Sequence, residues 1–231
     1  MSSVAELAER WGLGGGPTAR ALDALLTILE SDPHAPTTVR ARGKALDLHV
    51  ADSLVALELP EVQGARRIAD LGAGAGFPGL ALAAALPEAR VALVESAGRK
   101  CEFLARAVAA AGLENVEVVH ARAEEWGDGV GACDLVTARA LASLPVLAEY
   151  AAPLLREGGA LVAWKGRRDP EEEAAGAAAA ALLGLELAEV RSVQPFPAAR
   201  DRHLHVFRKT GPTPDRFPRR PGMATKRPLS G

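Results

Sequence analysis

The sequence predicts an α/β fold, a doubly wound parallel sheet with helices on both faces, preceded by N-terminal helices and finished by an antiparallel hairpin. Three observations carry that prediction. From Arg67 onward, short apolar runs alternate with segments long enough to be crossover helices. The alternation stops at the last two runs, 185–193 and 202–209, whose connection is too short for a crossover and leaves only antiparallel pairing. A glycine-rich turn, 72–79, follows the first run, at the strand end where open parallel sheets bind ligands.

Taken in chain order, Leu22, Leu25, Leu26 and Leu29 recur at helical spacing after the break at 14–17. Leu46, Val50, Leu54 and Leu57 mark a second helix, with His49, Asp52 and Ser53 on its polar face. The five parallel strands are expected at 67–71, 90–95, 116–121, 134–138 and 160–165, with helices at 78–86, 98–112, 141–155 and 169–183 between them. The two hairpin strands bring the sheet to seven. Residues 1–60 are expected to pack as a helical segment on a core domain, 61–210, with a basic Pro-rich tail at 211–231.

Composition narrows the function classes. Apolar residues are 48% and charged residues 24% of 231, the balance of a folded globular chain and not of a disordered one. Two cysteines, Cys101 and Cys133, cannot build a disulfide framework and read as small core residues. The N-terminus carries Glu6 and Glu9 and no basic-then-apolar leader, and the longest apolar stretch is Ala174 to Leu185. A cytoplasmic protein without a membrane span is therefore expected. The net charge of -2 hides an asymmetry, because Arg208 to Gly231 carries +6 and the remainder -8. A basic end on an acidic body suggests a polyanionic partner such as nucleic acid.

Chemistry concentrates in DLGAGAGFPG, Asp70 to Gly79. Gly72, Gly74 and Gly76 permit a tight turn and close approach of a ligand to bare backbone, and the helix opening behind them favours polar ligand groups. Read as Asp-x-Gly-x-Gly-x-Gly, the segment is the nucleoside loop of an S-adenosylmethionine-dependent methyltransferase. Read from Gly74, it is a dinucleotide fingerprint, which would make the chain a nicotinamide-binding regulator with a nucleic-acid-binding tail. The fingerprint starts at the strand end, whereas Gly74 lies three residues beyond Leu71, and it has no use for Asp70. Glu95, closing the next strand, suits ribose hydroxyls in either fold, and the final hairpin favours the methyltransferase sheet. Ser53, His49 and Asp52 do not make a nucleophilic triad, since no GxSxG elbow exists. His203 and His205 lack a third ligand at metal spacing, so no metal is expected.

With HVADSL (49–54), ESAGRKCEFL (95–104), ARAEE (121–125), TARALASL (137–144), AWKG (163–166), RHLHV (202–206) and RFPRRPGMATKRPL (216–229) added, the chain resembles the bacterial 16S ribosomal RNA guanine-N7 methyltransferases of the glucose-inhibited division B family. The resemblance spans roughly residue 45 to the C-terminus, and departs upstream at Ala35-Pro36-Thr37 and Leu48. It implies a doubly wound, seven-stranded, Rossmann-like methyltransferase sheet. It also implies S-adenosyl-L-methionine held by Asp70, Gly72, Gly74, Gly76, Phe77, Gly79, Glu95, Ala123, Glu124 and Arg139. Lys165 and Arg202 would line the face where the base enters, with Arg139 and Lys165 acting on it. Further RNA contact is expected from His203, Arg216, Arg219, Arg220, Lys226 and Arg227, on a tail that its prolines keep extended. The partner is 16S rRNA or the 30S subunit, and a monomer is expected. Motifs of amino and pyrimidine-carbon methylation are absent from the sequence. A guanine N7 needs neither, because its lone pair is free at neutral pH and orientation suffices. A methyltransferase for another RNA or a small molecule is the alternative within the class.

Overall fold

A computed structural model describes residues 3–14 and 16–229. Helix α1 (Val4–Arg10) starts in a reciprocal cap: the Glu6 amide donates to the Ser3 hydroxyl and the Glu6 carboxylate accepts from the Ser3 amide. Helix α2 (Pro17–Ser31) starts at a proline and buries Leu22, Leu25, Leu26 and Leu29, the stripe read from the sequence. The second expected helix is a composite. It runs through α3 (Arg42–Ala45), a π-helical turn (Leu46–Ala51), α4 (Asp52–Leu54) and a 3-10 turn (Val55–Glu58), with the short α5 (Pro60–Gln63) behind it. The widened turn carries the Asp52 amide back to the Asp47 carbonyl. Such bulges recur at functional sites, and this one bears His49.

The sheet follows the order β3-β2-β1-β4-β5-β7-β6. Strands β1 (Arg67–Leu71), β2 (Arg90–Glu95), β3 (Val116–His120), β4 (Cys133–Arg139) and β5 (Leu155–Lys165) are parallel. Strand β7 (His203–Lys209) runs antiparallel between β5 and β6 (Leu185–Ser192). Helices α6 (Gly79–Ala85) and α7 (Gly98–Ala111) share an apolar core with α2 and the composite helix. Helices α8 (Leu144–Ala151) and α9 (Pro170–Leu182) cover the opposite core. Strand alternation feeds both: Val162 and Trp164 join the first core, Leu161 and Ala163 the second. The chain winds outward from β1 in one direction and from β4 in the other. Their adjacent C-terminal ends form the switch point where such sheets bind ligands.

The tail differs from expectation. It is not an extended arm: Phe217 and Ala224 are buried in the second core, and Met223–Lys226 forms helix α10. Its prolines exclude a long helix but leave a four-residue turn between Pro221 and Pro228.

Candidate functional site

The glycine turn is organised from beneath. Asp70, 1% exposed at the end of β1, accepts the Thr137 hydroxyl at 2.8 Å and the Gly79 amide at 3.0 Å. Burial pushes its carboxyl up to about 6, against the lowering effect of those two bonds. Gly79 has no room for a side chain, since a Cβ would stand 2.8 Å from the Asp70 carboxylate and 2.4 Å from Leu93. At Gly76 a Cβ would stand 2.1 Å from Leu80. Direct ligand contact through the Asp70 side chain and through Gly76 or Gly79 is therefore corrected. These three are enclosed by the fold and hold the turn in shape.

Gly72 and Gly74, both at positive φ, form the open lip. The Gly74 amide donates to Glu95 Oε2 at 3.1 Å, the Ala97 amide donates to Oε1 at 2.9 Å, and Lys100 Nζ lies 3.6 Å away. An acidic strand end beside a left-handed glycine turn suits the hydroxyls and polar groups of a nucleoside, so the residues present fit S-adenosylmethionine. Beside them Gly72, Ser96, Ala123, Glu124, Leu141 and Tyr150 line a cleft of about 90 Å³. Small-molecule pockets usually reach about 300 Å³ or more. Leu141 accounts for the narrowness: it is exposed, and a Cβ at Gly72 would meet its methyl at 2.5 Å. Ala140 before it sits at φ +54, a left-handed conformation that side chains rarely adopt. Glu124 accepts the Gly222 amide at 3.0 Å, which brings the tail to the rim of this cleft.

A second cavity, about 470 Å³, adjoins the first and gathers Arg139, Lys165 and Arg202 as expected, together with His49, Asp52 and Trp164. Arg139 donates to Asp52 Oδ2 at 2.8 Å and to the Leu48 carbonyl at 3.1 Å, and faces His49 Nδ1 at 3.3 Å. The other Asp52 oxygen lies 3.3 Å from Arg202 Nε, in ion-pair range but off hydrogen-bond geometry. Lys165 Nζ donates to Glu172 at 2.5 Å and to the Ala142 carbonyl at 3.0 Å. Glu172 stands in the first turn of α9, which Asp169 caps by accepting the Glu171 and Glu172 amides. His49 stacks on Phe77, 5.2 Å between ring centres, and so links the cavity to the glycine turn. Burial, aided by Arg139, holds the His49 imidazole down at about 4, so it is neutral at pH 7. Ser53 donates to the His49 carbonyl at 2.5 Å and not to its ring. A larger groove, about 750 Å³ between α1, α2 and α7, includes none of these strand-end residues.

The remaining expected residues divide. His203, at the cavity's edge, bonds the Gly166 carbonyl at 2.7 Å, while His205 turns inward to Glu173 at 3.1 Å. Among the described residues no group of three His, Cys, Asp or Glu could hold a metal. Cys133 is pushed up to about 11 by burial, and Cys101 is raised for the same reason, so neither is an activated thiolate. Arg219 is not a free cation: it is spent on the buried Glu149 carboxylate at 2.5 Å. Arg216, Arg220, Lys226 and Arg227 remain exposed. Asp52, Glu172 and Trp164 were not read as site residues. Only the HVADSL segment signalled Asp52, and nothing in the sequence pairs Glu172 with Lys165.

A family model for rRNA small subunit methyltransferase G (GidB) matches residues 32–204. The chain is 44% identical over 189 residues to the ribosomal RNA small subunit methyltransferase G of Rubrobacter xylanophilus, covering 79% of this chain and 72% of that protein. It is 40% identical over 230 residues to the protein of that name from Deinococcus radiodurans, covering 96% and 90%. In fold it matches cofactor-bound Rv0187 from MTB with a TM-score of 0.56 at 22% identity, over 82% and 89% of the two chains. It also matches a 16S rRNA (adenine(1408)-N(1))-methyltransferase from Catenulisporales acidiphilia bound to its cosubstrate, with a TM-score of 0.55 at 20% identity, over 66% and 88%. The sheet order, the acid-closed glycine turn and the cationic cavity beside it agree with these likenesses, and the chain belongs to the GidB family of S-adenosylmethionine-dependent rRNA small subunit methyltransferases.

Proposed function

We propose that the chain transfers a methyl group from S-adenosyl-L-methionine to the N7 of a guanine in 16S rRNA. The observation that carries this reading is the junction of two sites: a nucleoside-type lip at Gly72, Gly74 and Glu95, and a cavity lined by Arg139 and Lys165 that joins it through the Phe77–His49 stack. When bound, the cofactor supplies a sulfonium methyl. Gly72, Gly74, Glu95, Ala123 and Glu124 hold it, with Leu141 turning aside to widen the cleft. The base lies in the second cavity, where Lys165 and Arg139 reach the O6 side of guanine, the edge that Arg and Lys commonly bond. None of these groups takes a proton, because N7 carries none. Neutral His49 is tied to Thr37 and Arg139, and serves as part of the wall rather than as a base.

The division into a helical segment (1–60), a methyltransferase unit (61–210) and a basic tail (211–231) belongs to the same reading, as do a monomeric state and a cytoplasmic place of work. No helix of the described residues is long and apolar enough to cross a membrane. The RNA is either free 16S rRNA or the 30S particle, held by Arg202 and His203 at the mouth and by the exposed tail cations. The test is to supply isotope-labelled cofactor with 16S rRNA and map the labelled nucleoside by mass. Label on guanine N7 is expected. Label on an exocyclic amine, a ribose hydroxyl or a pyrimidine carbon would overturn the assignment.

A further inference from the structure

Asp52 is the hub of the base-side cavity. Its side chain is 8% exposed, it binds Arg139 at 2.8 Å, and its second oxygen lies 3.3 Å from Arg202. Its backbone carbonyl accepts the Trp164 indole N–H at 2.7 Å, which fixes the residue from behind. The groups facing it are therefore two guanidinium cations and one imidazole held neutral by burial. Lys165 has its own carboxylate, Glu172. Without Asp52, Arg139 and Arg202 would line the cavity with no counter-charge.

The reaction makes that counter-charge matter. The N7 lone pair forms a bond to the methyl carbon, the carbon–sulfur bond breaks with its electron pair left on sulfur, and no proton moves. One positive charge passes from the sulfonium to the guanine ring. A base that binds neutral thus leaves as a cation, inside a cavity walled by guanidinium groups. Unbalanced, one such cation at roughly 6 Å in an effective dielectric near 20 would disfavour the product by about a hundredfold. An interaction that strengthens as charge develops accelerates the step, and one already complete in the ground state does not.

We propose that Asp52 is a positioning and charge-balancing residue for methyl transfer: it fixes Arg139 and Arg202 at the cavity wall and offsets their charge as the base becomes cationic. This rests on the guanine-N7 reading above. The experiment compares wild type and Asp52→Asn for binding, without cofactor, to two matched RNA fragments, one carrying guanine and one carrying N7-methylguanine at the target position. Titration by fluorescence anisotropy should show the variant losing affinity for the methylated fragment by roughly tenfold to a hundredfold, with affinity for the unmethylated one within about threefold. Single-turnover transfer should slow by about a hundredfold while KM for RNA changes little. Asp52→Glu should recover part of the rate. The double variant Asp52→Asn with Arg202→Gln, which restores the balance by removing a cation, should recover affinity for the methylated fragment. Equal loss on both fragments, or no recovery in the double variant, would reduce Asp52 to a structural anchor and overturn the proposal. Label on N7 with such a result would spare the N7 reading, whereas label elsewhere would overturn both.

Discussion

The glycine turn at 72–79 and the tail at 211–229 are both rich in glycine or proline, yet they are held by different means. In the turn the partners come from adjoining strands of the sheet. The Gly72 amide bonds the Val94 carbonyl at 2.8 Å, Gly74 meets Glu95, and Gly79 meets Asp70 nine residues away. In the tail the partners are remote: Arg219 meets Glu149 across 70 residues, Thr225 meets Tyr150 across 75, and Gly222 meets Glu124 across 98. The turn's shape follows from backbone sterics at positions only glycine tolerates. The tail's place follows from one buried carboxylate on α8 that needs a cation. A local rule is readable in a motif, whereas a docking partner is not.

The contrast breaks most visibly at the tail's anchor. Arg219→Ala leaves Glu149, 1% exposed, as a buried charge without its cation. Such losses cost about 3–5 kcal/mol, and a value near 3 is expected because Arg219 is itself partly exposed. The chain should melt earlier and be cut by trypsin after Arg220 and Lys226, while cofactor binding at Gly74 and Glu95 changes little. A tail as resistant to trypsin as in wild type would show that Phe217 and Ala224 suffice to hold it.

The turn's anchor answers to pH instead. Asp70 is raised to about 6 from an ordinary 3.8, so the folded state binds its proton more tightly than the unfolded state does. The stability of wild type relative to Asp70→Asn is therefore greatest below about pH 4 and falls as pH rises to 6, by on the order of 3 kcal/mol. His49, lowered to about 4, acts in the opposite sense, so relative to His49→Gln the wild type gains stability as pH rises from 4 toward 6.5. Denaturant titrations at pH 4 and pH 6 check both signs. Difference curves that slope the same way for the two variants would contradict the assignment.

A smaller effect is expected at Gly79. The added methyl of Gly79→Ala crowds Leu93 and Asp70, and overpacking of this kind costs about 2 kcal/mol. Urea unfolding should show that loss with an unchanged slope, and no loss would mean that α6 shifts freely. Smallest is Arg220→Gln. Arg220 is exposed, and removing one phosphate contact with single-stranded RNA should flatten the logarithmic salt dependence of binding by about 0.7. Removing Arg216, Arg220, Lys226 and Arg227 together should flatten it by roughly 2–3. An unchanged slope would mean that the docked tail points its cations away from the RNA.

Much of the fold was legible because its elements carry local signals. Strands at 67–71 and 90–95 match β1 and β2 residue for residue. Their alternating apolar runs can be buried only as strands between helices. Strand β5 begins at Leu155, five residues before its apolar run, because Arg156 to Gly159 are polar or glycine and read as a loop. Gly159 there lies too close to the Cys133 and Asp134 carbonyls to accept a side chain. Helix α8 is shorter than the 141–155 expected, since Ala140 takes a left-handed conformation and the regular turns begin only at Leu144.

By itself, then, the sequence determined the doubly wound sheet, the hairpin, the glycine turn with its closing Glu95, and the cationic pair Arg139 and Lys165, because each rests on spacing, glycine sterics or strand-end position. Tertiary structure alone decided which charges are free. It enclosed Asp70 under the turn, set Asp52 between Arg139 and Arg202, gave Lys165 to Glu172 and Arg219 to Glu149, and folded the tail against the cofactor cleft. The physical reason is reach. Backbone preference acts within a few residues, whereas a buried charge takes whichever opposite charge the completed fold brings within about 3 Å, and the pairs at Asp52 and Glu149 span 87 and 70 residues.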